Sequence, residues 1–419
     1  MTGYRRPAWD AVEVVMLAGA AVAPFDLFLE LPGIGHYLRA LHVWVALAVA
    51  LLATTDRDRL IAAMDWPLLA FWTMFAFVLL STLLATPAEF KMSGLASVRV
   101  LFLNLLGYTV VRAYYATRPE AWRRFFLTLG TSSVIVAILL TAQAIAVGKT
   151  GHAIGDDSFA LGLGTVAGSY AATFAAAAAG AIIFATSGRQ LAAGLAAFVA
   201  HGNAMVFALA RGPWLAFGIA LLTVIPVAAW RFGGRFSVAR TVARGVAIFI
   251  SLPLFFRAAI VVSPFISQML VQRVVDVVNV ESGTAFSRIV MWQAFLRDVG
   301  RSPVFGRGAA TYQDISERLG PPGTVTENFA IEMLHAGGIV ALTFFALGVI
   351  GVALHCLLKP GASARPTITA ACLTGATAMV LASMTNPTAW ETLFWIVLGL
   401  AATRPVVATS PSAAPSAAG

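Results

Sequence analysis

Residues 328–357, NFAIEMLHAGGIVALTFFALGVIGVALHCL, decide the fold class. The apolar run matches the roughly 20 residues a helix needs to cross a hydrocarbon core about 30 Å thick. It is too long and too little alternating for a barrel strand, and backbone groups in lipid must be satisfied internally, so it reads as a transmembrane helix. The same reading extends to the whole chain of 419 residues, of which 59% are hydrophobic and only 11% charged, with a mean hydropathy of +0.84. Soluble domains carry about 25% charged residues, so this chain cannot cover itself in water. Twelve such runs stand at about 11–30, 37–54, 62–85, 94–114, 124–147, 164–186, 190–210, 212–230, 243–262, 328–357, 366–385 and 388–403. The expected fold is all-α: a polytopic integral membrane protein of about twelve transmembrane helices.

The net charge of +9 does not point to nucleic acid, because the arginines are scattered in short loops rather than gathered on one face. Arg5, Arg6, Arg57, Arg59, Arg112, Arg118, Arg123, Arg124, Arg189, Arg231, Arg235, Arg240, Arg244, Lys359, Arg365 and Arg404 fall on one side; Arg39, Lys91, Lys149 and Arg211 fall on the other. Basic loops mark the cytoplasmic side, which places both termini there. Arg5 and Arg6 precede the first run without a cleavage site, so that helix is expected to stay in the protein. Cys356 and Cys372 offer neither a disulfide framework nor metal-ligand spacing.

The chain divides into helices 1–9 over 1–262, a large outer loop over 263–327, helices 10–12 over 328–404 and a low-complexity tail over 405–419, expected to be disordered. Within the loop, AFSRIVMWQAFLRDV at 285–299 puts Phe286, Val290, Phe295 and Leu296 near one helical face, with Arg288, Gln293 and Asp298 elsewhere. That pattern predicts an amphipathic helix lying on the membrane surface or capping the bundle, and 264–280 allows a second one. A loop this long with amphipathic content is expected to be functional.

Charge at the rim of a membrane costs several kcal/mol (roughly) unless paired or hydrated, so it marks functional candidates. Arg211 sits in the short turn ALARGPWLAF, where a snorkelling interfacial arginine is the plain alternative. Arg288 and Arg307, in SRIVMWQAF and FGRGAATY, have the guanidinium forks that grip phosphate, although ordinary loop salt bridges explain each equally well. Glu327 and Asn328 stand at the outer mouth of the 328–357 run, where Glu327 also fits a first-turn acid favoured by the helix dipole. Deeper in the run, Gly337-Gly338 suit close helix packing, and His335 fits a hydrogen-bonded core histidine as well as a catalytic one. Arg99 is expected to face the interior or a wet cavity, with Asp65, Asn104, Gln143 and Asn203 as its polar company. His152, Asp156 and Asp157 make only a weak metal motif, so none is expected.

The order of these features resembles a known family. An Arg211-Gly212 turn comes first, then R-x-x-x-W from Arg288 to Trp292, then Pro303 followed by Gly306 and Gly308, then Asn328 with nine residues between it and Gly338. This resembles the O-antigen ligase and O-antigen polymerase superfamily of bacterial inner-membrane glycosyltransferases. The resemblance implies a metal-independent, cofactor-free, inverting transfer on the periplasmic face, without a nucleotide sugar. The donor would be an undecaprenyl-pyrophosphate-linked oligosaccharide, and the acceptor another lipid-linked glycan or lipid A core. It further implies that Arg211 and Arg288 bind the donor pyrophosphate, with Arg307 beside them. Lipid A ligases carry a histidine where this chain has Glu327, so the resemblance leans to a capsular or exopolysaccharide polymerase. There Glu327 would act as the base, Asn328 would orient the acceptor or the loop, and Tyr312, His335 and Arg99 would be secondary. A transporter or flippase is the rival reading. Transporters place binding residues near the midplane in broken helices, whereas the candidates here gather at one outer surface beside a loop large enough to form a lid.

Overall fold

The computed structural model describes residues 11–28, 39–55, 57–62, 64–115, 118–147, 164–208, 210–232, 236–262, 284–309, 328–358, 366–385 and 387–403. Glu327, Tyr312, the metal candidates His152, Asp156 and Asp157, the stretch 264–280 expected to allow a second amphipathic helix, and the tail from 405 lie outside them. The described residues are 90% helical and contain no strand.

The helices are α1 Ala11–Val22, α2 Ala40–Thr55, α3 Arg57–Ala62, α4 Trp66–Ala85, α5 Lys91–Tyr115, α6 Pro119–Val147 and α7 Gly164–Ile183. They continue with α8 Gly188–Phe207, α9 Arg211–Phe232, α10 Val238–Val262, α11 Thr284–Val299, α12 Phe329–Leu358, α13 Pro366–Ser383 and α14 Thr392–Ala402. Each of the twelve apolar runs carries a helix. Nine helices among the described residues are long and apolar enough to cross a membrane, which makes this a multi-pass membrane protein. The other three apolar helices, in the first, second and last runs, are shorter. The last run was expected as one span over 388–403, but it begins as a 3₁₀ turn, Pro387–Trp390, and only then becomes α14. Eleven residues rise about 17 Å, less than a hydrocarbon core, and α14 is buried on every side, as an all-apolar helix inside a bundle must be.

Small residues govern the tightest packing, because in lipid helices associate by close approach rather than by hydrophobic exclusion. α7 lies along α13, where a Cβ on Gly180 would stand 2.5 Å from the Thr374 hydroxyl and 2.8 Å from the Ala370 carbonyl. Between α4, α5, α12 and α14 the core is aromatic: Phe71 meets Tyr108 and Trp395 edge-on at 5.3 and 5.1 Å, and Phe329 meets Phe345 at 5.0 Å. α10 stands at the periphery, with Val238, Val242, Val246, Ile250 and Leu254 exposed.

Long-range contacts define one end of the bundle, hereafter the site end. The Arg211-Gly212 turn packs on Thr385 at the end of α13, Arg39 before α2 pairs with Glu391 before α14, and Asn104 of α5 donates to the Trp390 carbonyl at 2.8 Å. The N-termini of α9 and α12 open at this end.

Candidate functional site

α11 forms where the amphipathic pattern predicts it, but its buried stripe is Met291, Phe295 and Val299, not the face drawn through Leu296, which is exposed. The buried residues recur at i, i+4 and i+8, one row of a helix surface, and they seat α11 on the first turns of α12. Phe295 is fully buried with its ring edge-on to that of His335 at 5.0 Å.

Beyond α11 the chain runs through Pro303, Gly306 and Gly308 into a break in α12. The expectation that Gly337-Gly338 only ease helix packing is half right. Gly337 does lie against Val78, where a Cβ would stand 3.0 Å from the valine side chain. Gly338 instead leaves helical geometry, with φ 69° and ψ −170°. Such a break frees main-chain groups that a continuous helix would use, and the 303–309 loop takes them. Arg307 N–H donates to the His335 carbonyl at 2.7 Å, Gly308 N–H to the Ala336 carbonyl at 3.1 Å, and Ile339 N–H to the Pro303 carbonyl at 2.9 Å. The two backbones cross so closely that a Cβ on Gly306 would lie 2.6 Å from the His335 carbonyl, and one on Gly338 would overlap the Val304 carbonyl. Both glycines, and Gly308, have positive φ, which other residues adopt only with strain. The Thr82 hydroxyl of α4 closes the far side by accepting from Ala309 N–H at 3.1 Å.

Side chains gather on this clasp. Asp298, near the end of α11, accepts from His335 Nε2 at 3.0 Å and faces Arg307 Nε at 3.5 Å, both on Oδ2, while Arg301 reaches Oδ1 at 3.2 Å. A carboxylate only accepts, so His335 Nε2 carries the hydrogen. The His335 side chain is 0% exposed and that of Arg307 is 32%. His335 is therefore a core histidine with a carboxylate partner.

Asn328 caps α12, its Oδ1 accepting from Ile331 N–H at 3.1 Å, which accounts for asparagine here locally. One turn on, Glu332 is 2% exposed and accepts from the Trp390 indole. Arg211 opens α9 and Arg288 lies along α11, both half-buried. Of the two places expected for Arg99, the interior or a wet cavity, the interior does not hold: it is exposed on α5, within electrostatic reach of His42 on α2. Its expected companions are engaged elsewhere. Asp65 pairs with Arg112 at the opposite end, Asn104 holds Trp390 and Thr392, and Asn203 donates to the Val199 carbonyl. The structure thus brings Arg307 and His335 together through Asp298. Sequence reading had placed Asp298 merely off the apolar face and had passed over Glu332 and Trp390. For Glu332 the available signal was an acid within an apolar run. Among the described residues no three His, Cys, Asp or Glu side chains group in a way that holds a metal ion.

Polar and cationic side chains thus crown one end of a multi-pass bundle, around a loop spliced into a broken helix. A family model described as O-Antigen ligase matches residues 195–346. The matched segment runs from α8 into α12 and includes Arg211, Arg288, the 303–309 clasp, Asn328 and His335, which supports the resemblance to the O-antigen ligase superfamily. The match supports a glycosyltransferase family of the O-antigen ligase/polymerase type. No curated protein matches the chain.

Proposed function

We propose that this protein transfers a glycan from a polyprenyl-pyrophosphate carrier to an acceptor hydroxyl at the site end of the bundle, on the periplasmic side of a bacterial inner membrane. The observation that carries this reading is the family match over residues 195–346, which takes in the arginines and the mouth of α12 together. In the proposed reaction the acceptor hydroxyl attacks the anomeric carbon of the donor sugar from the face opposite the pyrophosphate. The bond between that carbon and the pyrophosphate oxygen breaks, the configuration inverts, and polyprenyl pyrophosphate leaves with the bonding pair. Arg211 and Arg288, with Arg307, neutralise the charge that grows on the leaving group, since guanidinium forks suit phosphate oxygens. Glu327 takes the acceptor proton, a task open to any carboxylate within hydrogen-bond reach. Asn328, whose side chain caps α12, orients the acceptor or the loop. A polymerase of capsular or exopolysaccharide type is favoured over a lipid A ligase, because Glu327 stands where such ligases carry histidine.

One observation favours the transporter or flippase reading: α12 is broken, as transporter helices often are. Yet the groups opened by the break bond to the 303–309 loop instead of lining a cavity. Reconstituted protein supplied with an undecaprenyl-pyrophosphate-linked oligosaccharide separates the readings. Longer carrier-linked chains with released undecaprenyl pyrophosphate establish a polymerase, and a single transfer to another lipid establishes a ligase. An intact donor that crosses the bilayer of sealed vesicles replaces the enzyme with a flippase. Glu327→Gln is expected to lower turnover at least about a hundredfold, and a Glu327→Gln protein with wild-type turnover removes the base assignment. If Arg211→Ala leaves product formation unchanged in protein that still inserts, its pyrophosphate role is wrong.

A further inference from the structure

We infer that Asp298 is a positioning residue of this site, holding the Arg307 guanidinium in one orientation for the donor diphosphate; the inference rests on the transferase reading above. Three residues on three separate elements close a ring. The His335 carbonyl accepts from Arg307 N–H at 2.7 Å, the His335 imidazole donates to Asp298 Oδ2 at 3.0 Å, and Arg307 Nε faces the same oxygen at 3.5 Å. The backbone of Arg307 is thus pinned by the broken helix, and its side chain by α11. The links differ in kind. The main-chain link belongs to the fold, and the buried imidazole belongs to the core. The pair from Asp298 to Arg307 reaches a partly exposed cation, 32% exposed.

An arginine side chain loses about 2 kcal/mol of rotamer freedom when it is fixed. A guanidinium drawn to one side by a carboxylate at 3.5 Å meets its ligand with part of that ordering complete, which is the physical content of preorganisation. Asp298 itself touches no substrate in this arrangement; it acts through Arg307.

Asp298→Asn separates the two functions of the carboxylate. The amide oxygen still accepts from His335 Nε2, so the core contact survives, whereas the charge facing Arg307 is gone. The test uses full-length protein in detergent, with undecaprenyl pyrophosphate as the binding probe and carrier-linked oligosaccharide as the donor in parallel. The expected result for Asp298→Asn is an unchanged melting temperature, with probe Kd and donor KM raised about tenfold and kcat nearly constant. In an Arg307→Ala background the same substitution adds nothing further, since its intermediary is absent. A merely structural Asp298 gives the opposite pattern, with a lowered melting temperature and losses that add to those of Arg307→Ala, and that pattern overturns the inference. So does an Asp298→Asn protein that binds the probe like wild type. Failure of the transferase reading is distinct: wild-type protein then neither binds undecaprenyl pyrophosphate nor transfers the glycan, and the inference falls with it.

Discussion

The two ends of α12 carry the same three residue types in two arrangements. At the site end, Asp298 gathers His335 and Arg307; at the opposite end, Asp65 gathers His355 and Arg112. Asp65 is the N-cap of α4, accepting from Leu68 N–H at 3.3 Å, and its other oxygen takes Arg112 Nε at 3.0 Å with His355 Nδ1 at 3.6 Å. Every member of that knot belongs to a helix of the bundle or its cap, and the Arg112 side chain is only 7% exposed. The Asp298 cluster holds its arginine on a loop, 32% exposed, inside the segment matched by the O-Antigen ligase family model. The comparison teaches that a carboxylate-arginine pair is not functional by composition. Burial of the arginine makes one cluster a fastener, and exposure of the arginine makes the other a holder for something outside.

The sharpest way to break this contrast is to remove the backbone crossing on which the site end depends. Gly338→Val combines a strained φ with overlap on Val304, and it is expected to cost more than about 3 kcal/mol and to abolish both folded protein and transfer. A Gly338→Val protein with a wild-type melting curve would show that the clasp is not needed. Next comes the fastener itself. Asp65→Ala leaves Arg112 buried without its carboxylate, which costs about 3–5 kcal/mol. Its melting temperature should fall while donor KM of the surviving fraction stays constant, the reverse of Asp298→Asn. Should Asp65→Ala change donor affinity instead, the division between fastener and holder fails. Thr82→Val then probes the seam between α4 and the clasp. It deprives the buried Ala309 N–H of its acceptor, at about 1–3 kcal/mol, read as lost thermal stability. The smallest effect belongs to Arg301→Ala. Its pair with Asp298 is exposed, with the arginine side chain 74% exposed, so the change should stay within about 1 kcal/mol and leave KM unchanged.

The fold was legible in the sequence where it depends on long apolar runs, and each run carries a helix because length and hydropathy are local properties. α11 was legible too, from its amphipathic spacing, although the face it buries was not, because that depends on which neighbour it meets. The site was legible as a set of residue types at one end. Its connections were not. Asp298 reaches His335 and Arg307 through a turn and a helix break whose hydrogen bonds join distant positions, and no periodicity announces them. The only trace was glycine: Gly306, Gly308 and Gly338 each stand at a positive φ that the crossing demands. For Arg99 the sequence left the interior and a wet cavity open, because a run of apolar residues does not say which face meets a neighbour; the residue lies exposed on α5.

The break at Gly338 also bears on how the chain enters its membrane. A helix released sideways into hydrocarbon must bring its main-chain hydrogen bonds with it, and each one left open there costs several kcal/mol, on the order of a lost bond in an apolar medium. α12 cannot meet that demand alone, since the carbonyls of His335 and Ala336 and the amide of Ile339 find their partners in residues 303–308. Those residues leave the ribosome before α12 does. In the folded protein, α12 and the loop before it therefore satisfy these main-chain groups only together.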